Sequence, residues 1–216
     1  MAESLFLDRP EAGRQLVQKL QGYSKRTDVF ILALARGGVP VAFEVSQALC
    51  IPLEIVIVRK LGLPGREEFA MGAIASGGIE ILNKEIINIL SIKPAAIEQA
   101  RDGQLQELAR REKAYRGDLK WPRYKADCVI LIDDGLATGY SMRVAIEAAR
   151  NLDVKKIIVA VPVAPTDILQ EISALVDETI CLSTPEPFLS VGKWYTNFNQ
   201  VTDDEVYRLL QISRKH

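Results

Sequence analysis

Short, nearly continuous apolar runs rich in β-branched residues recur along the chain, separated by longer segments in which apolar positions return at helical spacing. The runs Val29 to Ala35, Leu53 to Arg59, Cys128 to Ile132, Lys156 to Val163 and Glu178 to Leu182 do not alternate apolar with polar. That is the pattern of strands covered on both faces of a parallel sheet. Val39 to Cys50, Pro94 to Arg116, Ser141 to Leu152 and Thr166 to Leu175 read as the intervening helices. A further helix, from about Pro10 to Gln21, begins at a proline and stops at Gly22. The alternation predicts an α/β fold: a doubly wound, mainly parallel sheet of about five strands, with right-handed crossovers and flanking helices.

Two stretches break the pattern. Residues 61–80 carry Gly62, Pro64, Gly65, Gly72, Gly77 and Gly78 and read as an irregular lid or binding loop. Residues 183–200 carry Pro185, Pro187 and four aromatics and read as a small irregular hood. No repeat or linker divides the chain. The expected organisation is one domain, 1–216, with a core over about 25–182 and a hood over about 183–200 joined by the N-terminal segment.

Composition then removes whole classes of function. With 216 residues, 48% hydrophobic and 25% charged, the chain is globular rather than disordered or fibrous. Lys+Arg 27 against Asp+Glu 28 leaves a net charge of -1, so no overall field draws it to DNA or anionic lipid, and any phosphate recognition must be local. The basic stretch Arg110 to Lys125, interleaved with Trp121 and Tyr124, is diluted by Glu112 and Asp118 and reads as a solvated helix end rather than a nucleic-acid face. Cys50, Cys128 and Cys181 are odd in number and scattered, and read as buried reduced thiols. The start of the chain lacks the charge order of a signal peptide. The longest apolar run, Ile157 to Pro165, is about half a membrane span. The expectation is a soluble, cytoplasmic protein with neither membrane nor nucleic-acid partner. The single histidine, His216, is the last residue and is expected to fray, which excludes histidine-based triads and HExxH zinc sites.

The segment from Val129 to Ser141 carries the candidate chemistry. An apolar strand ends in Asp133 and Asp134, and a small-residue loop, Gly135-Leu136-Ala137-Thr138-Gly139, opens into a helix. In open α/β sheets ligands lie beyond the carboxyl ends of strands. Backbone N–H groups of Ala137, Thr138, Gly139, Tyr140 and Ser141, at the positive end of the helix dipole, would cradle a phosphate, with Gly139 allowing close approach. Tyr140 stands where a Walker loop needs lysine, and no GxGxxG follows the first strand. A turn or capping role for the two aspartates is the plainer alternative.

This segment resembles the phosphoribosyl-pyrophosphate (PRPP) motif of type I phosphoribosyltransferases. Three further stretches, in family order, extend the resemblance over residues 29–200. Ala35-Arg36-Gly37-Gly38 is similar to the family's pyrophosphate loop, which often holds a non-proline cis peptide. Val58-Arg59-Lys60 resembles the start of its mobile catalytic loop, and Phe188-Leu189-Ser190-Val191-Gly192 resembles the base-binding hood of the purine enzymes. Phe6-Leu7-Asp8-Arg9 with Ala12-Gly13 further resembles stand-alone bacterial members described as phosphoribosyltransferases.

The resemblance implies Mg²⁺-dependent transfer of a phosphoribosyl group from PRPP to a nucleobase-like nitrogen acceptor, with release of pyrophosphate and a place in nucleotide metabolism. The alternative is a PRPP- or nucleotide-binding regulator with little turnover. Asp133 and Asp134 would hold ribose and metal, directly or through water, and Lys60 joins them in the catalytic set. Arg36, Gly37, Gly38, Arg59 and Lys60 would bind pyrophosphate; Phe188, Val191 and Trp194 would bind the base. Tyr195 and Phe198 are expected to pack the hood against the core. A homodimer is the family's expectation.

Two departures bear on the acceptor. Ala137 stands where the hypoxanthine and guanine enzymes carry an acidic residue, and Val161-Pro162-Val163-Ala164 lacks their lysine for the 6-oxo group. Glu67 and Glu68 are a substitute proton acceptor or, more simply, a solvated loop face.

Overall fold

The structure, a computed structural model, describes residues 4–63, 65–117, 121 and 126–214, leaving the side chains of 66–68 outside the description. Seven strands run in chain order: β1 (Val29–Ala35), β2 (Leu53–Leu63), β3 (Arg66–Ala75), β4 (Ile79–Leu82), β5 (Cys128–Ile132), β6 (Lys156–Val163) and β7 (Glu178–Ser183). The helices are α1 (Arg9–Leu20), α2 (Gly38–Leu49), α3 (Lys84–Ile89), α4 (Pro94–Arg116), α5 (Tyr140–Arg150), α6 (Thr166–Ser173) and α7 (Asp203–Ser213). One sheet contains all seven strands in the order β4-β3-β2-β1-β5-β6-β7. The five expected strands are its parallel part.

The sheet is wider than the apolar runs indicate, because residues 61–80 are not an irregular lid. β2 continues through Leu63, and β3 and β4 return antiparallel on its edge. Gly77 and Gly78, with φ of 83° and 78°, supply the left-handed turn that reverses the chain between Ala75 and Ile79. Gly72 lies within β3, where a Cβ would stand 2.6 Å from the Ile81 carbonyl oxygen. These glycines therefore serve close strand pairing and a tight turn rather than mobility.

Both faces of the parallel strands are buried, which explains their unbroken apolar sequences. Val29, Ile31 and Ala33 of β1 pack with α1, α2 and α7; Phe30, Leu32 and Leu34 pack with α5. The C-terminal helix α7 was not expected. Thr202 caps it, accepting the Glu205 N–H at 3.1 Å, and Val206, Leu209 and Leu210 are buried.

The basic stretch is also resolved into partners where it is described. Arg116 is 3% exposed, donates to Glu54 at 2.9 Å and stacks on Trp121, while Arg110 and Arg111 pair with Glu107. Tyr124, like the side chains of Glu67 and Glu68 and like His216, lies outside the described residues. The cysteines are free, but Cys50 is exposed rather than buried: it terminates α2 in the left-handed conformation, φ 53°, which turns it outward. Cys128 is buried, and desolvation pushes its thiol up to about 11. No helix among the described residues is long and apolar enough to cross a membrane.

Candidate active site

The topology sets the position of the site. From β1 the chain crosses to β2 on one side, and from β5 it crosses to β6 on the other, so the loops leaving the adjacent ends of β1 and β5 diverge. Such a switch point opens a crevice at the carboxyl edge of the sheet. The register pairs Ala33 with Ile132, which brings the loop after Ala35 level with Asp133 and Asp134.

The two loops touch closely enough to demand glycine. A Cβ on Gly37 would lie 2.1 Å from Asp134 Oδ2, and one on Gly38 would lie 2.5 Å from the Ile132 carbonyl oxygen. The Ala35–Arg36 peptide is cis. Beside this contact lies a cavity of about 420 Å³ whose lining includes Arg36, Gly37, Asp133, Asp134 and Ser141.

Electrostatically this cavity is unusual for its adjacent carboxylates. Burial holds the Asp133 carboxyl well above the ordinary range, and the Asp134 charge raises it further; the Asp134 N–H donating to Asp133 Oδ1 at 2.9 Å opposes the shift. Burial also raises Asp134, opposed by Arg9. Arg9 Nε donates to Asp134 Oδ2 at 2.7 Å, its Nη1 donates to the Asn199 carbonyl at 2.7 Å, and its guanidinium lies 3.8 Å from the Phe198 ring centre. Tyr195 donates its hydroxyl to the Asp134 carbonyl at 2.6 Å.

The loop after the acidic pair ends at Gly139, φ 68°, immediately before α5. No side chain caps that helix, so the first-turn amides are presented by backbone alone. A phosphoribosyl transferase domain model matches residues 6–204 of the sequence. The chain belongs to the phosphoribosyl transferase family.

Individual relatives agree. Two Mycobacterium tuberculosis proteins, each named "Putative phosphoribosyl transferase", are 41% identical over 211 residues, or 98% of this chain and 47% of theirs. The chain thus spans about half the length of the curated relatives it matches. A crystal structure of TT1426 from Thermus thermophilus superposes with a TM-score of 0.79 at 36% identity, covering 95% of this chain and 97% of that one.

Within this phosphoribosyl transferase fold most of the expected site residues line one of three cavities. Asp133, Asp134, Arg36, Gly37 and Ser141 share the first cavity, and Gly38 packs its backbone against Ile132 and Asp133. Arg59 and Lys60 line a second cavity of about 760 Å³, joined to the first through Val58 and Ser141. There Arg59 is held by Gln104 at 2.8 Å and lies near Arg110 and Arg111, whose positive charge adds to its own. Phe188 lines a third cavity of about 750 Å³, together with Ala137 and Thr138 of the loop before α5.

Three expected contributors do something narrower than anticipated. Trp194 is 4% exposed and packs inside the hood with Phe6, Val163 and Tyr195, so its ring is core rather than a base platform. The Val191 side chain fills the space beside Gly135, where a Cβ would meet it at 2.7 Å. The Tyr140 ring packs toward the core with its hydroxyl buried, leaving its backbone N–H for the loop. Phe198 packs within the hood, its ring centre 5.0 Å from that of Tyr195 and its edge against Gly192, and it also lines the acidic cavity beneath Arg9.

Two residues at this edge lie outside the expected site: Arg9, which the sequence marks only within the Phe6-Leu7-Asp8-Arg9 resemblance, and Asp203. Asp203 accepts from Tyr115 at 2.6 Å and Arg110 at 3.1 Å and pairs with Arg36 at 3.4 Å, which fixes the loop cation from α7. The Thr-x-x-Glu capping pattern at Thr202 and Glu205 is the sequence signal that would have found this helix start.

Gly139 provides a direct check on the loop. Its φ is left-handed, and a Cβ would meet Ile168 Cγ2 at 2.9 Å. Gly139→Val is expected to lower affinity for ribose 5-phosphate by about a hundredfold, since a displacement of ~1 Å in a positioning element has that scale. Calorimetry that finds unchanged affinity would move the phosphate site elsewhere.

Proposed function

We propose that the chain transfers the phosphoribosyl group of PRPP to a planar, nucleobase-like nitrogen acceptor and releases pyrophosphate. The observation that carries this reading is one cavity holding two adjacent carboxylates between a glycine-rich, arginine-bearing loop and an uncapped helix start. Family membership points the same way.

In this reaction the acceptor nitrogen forms a bond to the anomeric carbon while that carbon's bond to the pyrophosphate oxygen breaks, and the proton on nitrogen passes to solvent or the leaving group. Positive charge grows on the ribose as the bonds exchange. Asp133 and Asp134 are suited to hold the ribose hydroxyls and to oppose that charge from fixed positions. The backbone of residues 137–141 takes the 5′-phosphate. Arg36, with the backbone of Gly37 and Gly38, takes the diphosphate, and Arg59 and Lys60 add positive charge from the adjoining cavity.

The donor set fits Mg²⁺. The described residues offer no group of three or more metal-ligating side chains, and a pair of hard carboxylate oxygens matches an ion that keeps water and substrate phosphates as its main ligands. Asp133 and Asp134 would hold it, and the ion would neutralise the leaving diphosphate.

Phe188 is the proposed stacking platform for the acceptor, next to the phosphate loop in a cavity that no lysine lines among the described residues. Phe188→Ala is expected to raise the acceptor KM by about tenfold, the scale of one lost base–aromatic stack, while PRPP affinity stays within about twofold. The function is tested by incubating the protein with PRPP, Mg²⁺ and a panel of nucleobases and measuring pyrophosphate release. Acceptor-dependent release supports the reading. PRPP binding without release for any nitrogen acceptor contradicts it.

A further inference from the structure

Arg9 is a cation at an unusual place in its helix. It is the first residue of α1, where the helix dipole opposes a positive charge, and it is only 8% exposed. Its neighbour Asp8 already caps the helix by accepting the Glu11 N–H at 2.8 Å. Nor does the N-terminal segment need Arg9 to hold the hood. Leu5 and Phe6 donate backbone N–H groups to the Trp194 carbonyl, and Thr196 and Asn197 donate back to the carbonyls of Phe6 and Leu7.

What Arg9 does have is a position in the acidic cavity. It lines the same 420 Å³ space as Arg36 and Gly37, is oriented by Asp134 and Asn199, and lies over the Phe198 ring. Two arginines, one from the start of α1 and one from the loop after β1, therefore line one cavity beside two carboxylates. A planar fork already fixed by a carboxylate, a carbonyl and an aromatic face loses little freedom when it gains a phosphate oxygen.

We propose that Arg9 is a diphosphate-binding residue of this site, acting with Arg36. This rests on the phosphoribosyl transfer reading and extends it by a residue from the N-terminal segment. While held by Asp134, the guanidinium is also within the cavity that the diphosphate enters, so the same side chain links the ribose carboxylate to the leaving group. Arg9 thereby makes the site dependent on the N-terminal segment.

The test is calorimetric titration of wild type, Arg9→Lys and Arg9→Met with two probes, inorganic pyrophosphate in Mg²⁺ and ribose 5-phosphate, alongside thermal melts. Arg9→Met is expected to weaken pyrophosphate by at least about tenfold, the scale of one charge-assisted hydrogen bond, with ribose 5-phosphate affinity kept within about twofold. Arg9→Lys, which keeps the charge and loses the fork, should fall between. Equal pyrophosphate affinity in wild type and both variants overturns the assignment. So does a parallel loss for both probes with a lowered melting temperature, which would make Arg9 a clasp. Wild type that binds neither probe overturns the transfer reading itself.

Discussion

Replacing Asp133 with asparagine is expected to reduce turnover by about a hundredfold, because the proposed reaction would lose one pre-organised group opposing the developing ribose charge. The same change should leave the melting temperature at pH 7 equal to or above that of wild type. Burial first, and the neighbouring Asp134 charge second, raise the Asp133 carboxyl well above its ordinary range. Between its unfolded value, about 3.9, and that raised value, the native state binds more protons than the unfolded chain, so stability falls as pH rises through the window. Whenever it is ionised, the buried carboxylate carries a desolvation cost that asparagine does not incur. The difference in melting temperature should shrink as pH falls and the wild-type carboxyl takes up its proton. Asp134→Asn should behave differently. It leaves Arg9 without its carboxylate partner and lowers the melting temperature as well as turnover. A large fall in stability for Asp133→Asn with undiminished turnover would assign that aspartate to a turn.

The second large effect is expected at Gly37. Its φ and ψ, -59° and -37°, suit any residue, so alanine there introduces no backbone strain. The added methyl would stand 2.1 Å from Asp134 Oδ2, and either the carboxylate or the loop must move. Because the Arg9 contact is made by that same oxygen, a shift carries through the whole cavity. Gly37→Ala should cost about a hundredfold in kcat/KM, the scale of a ~1 Å misplacement of catalytic groups. Far-ultraviolet circular dichroism should be unchanged. Wild-type kinetics in this variant would show that the two loops are not held at working distance.

The parallel strands and the helices of the crossovers were legible because burial on two faces and helical periodicity leave local patterns. β1, β5 and β6 begin and end where the apolar runs do. The β3–β4 hairpin was obscured by glycines whose roles, close strand approach and a left-handed turn, depend on the partner strand. Asp133, Asp134 and the loop before α5 form one contiguous segment, so their joint placement could be read directly. Arg9 lies 125 positions from Asp134 and Asp203 lies 167 from Arg36, and such pairings exist only once the sheet has folded. Among the aromatics, composition marked the hood, but nothing local distinguishes the enclosed Trp194 from Phe198, which faces the cavity.

The most direct test of the account is a crystal structure of the protein with PRPP and Mg²⁺ bound. The 5′-phosphate should lie on the backbone of residues 137–141, the ribose hydroxyls at Asp133 and Asp134, and the diphosphate beside Arg36 and Gly37. A 5′-phosphate found away from that backbone, or a ribose out of reach of both aspartates, would contradict it.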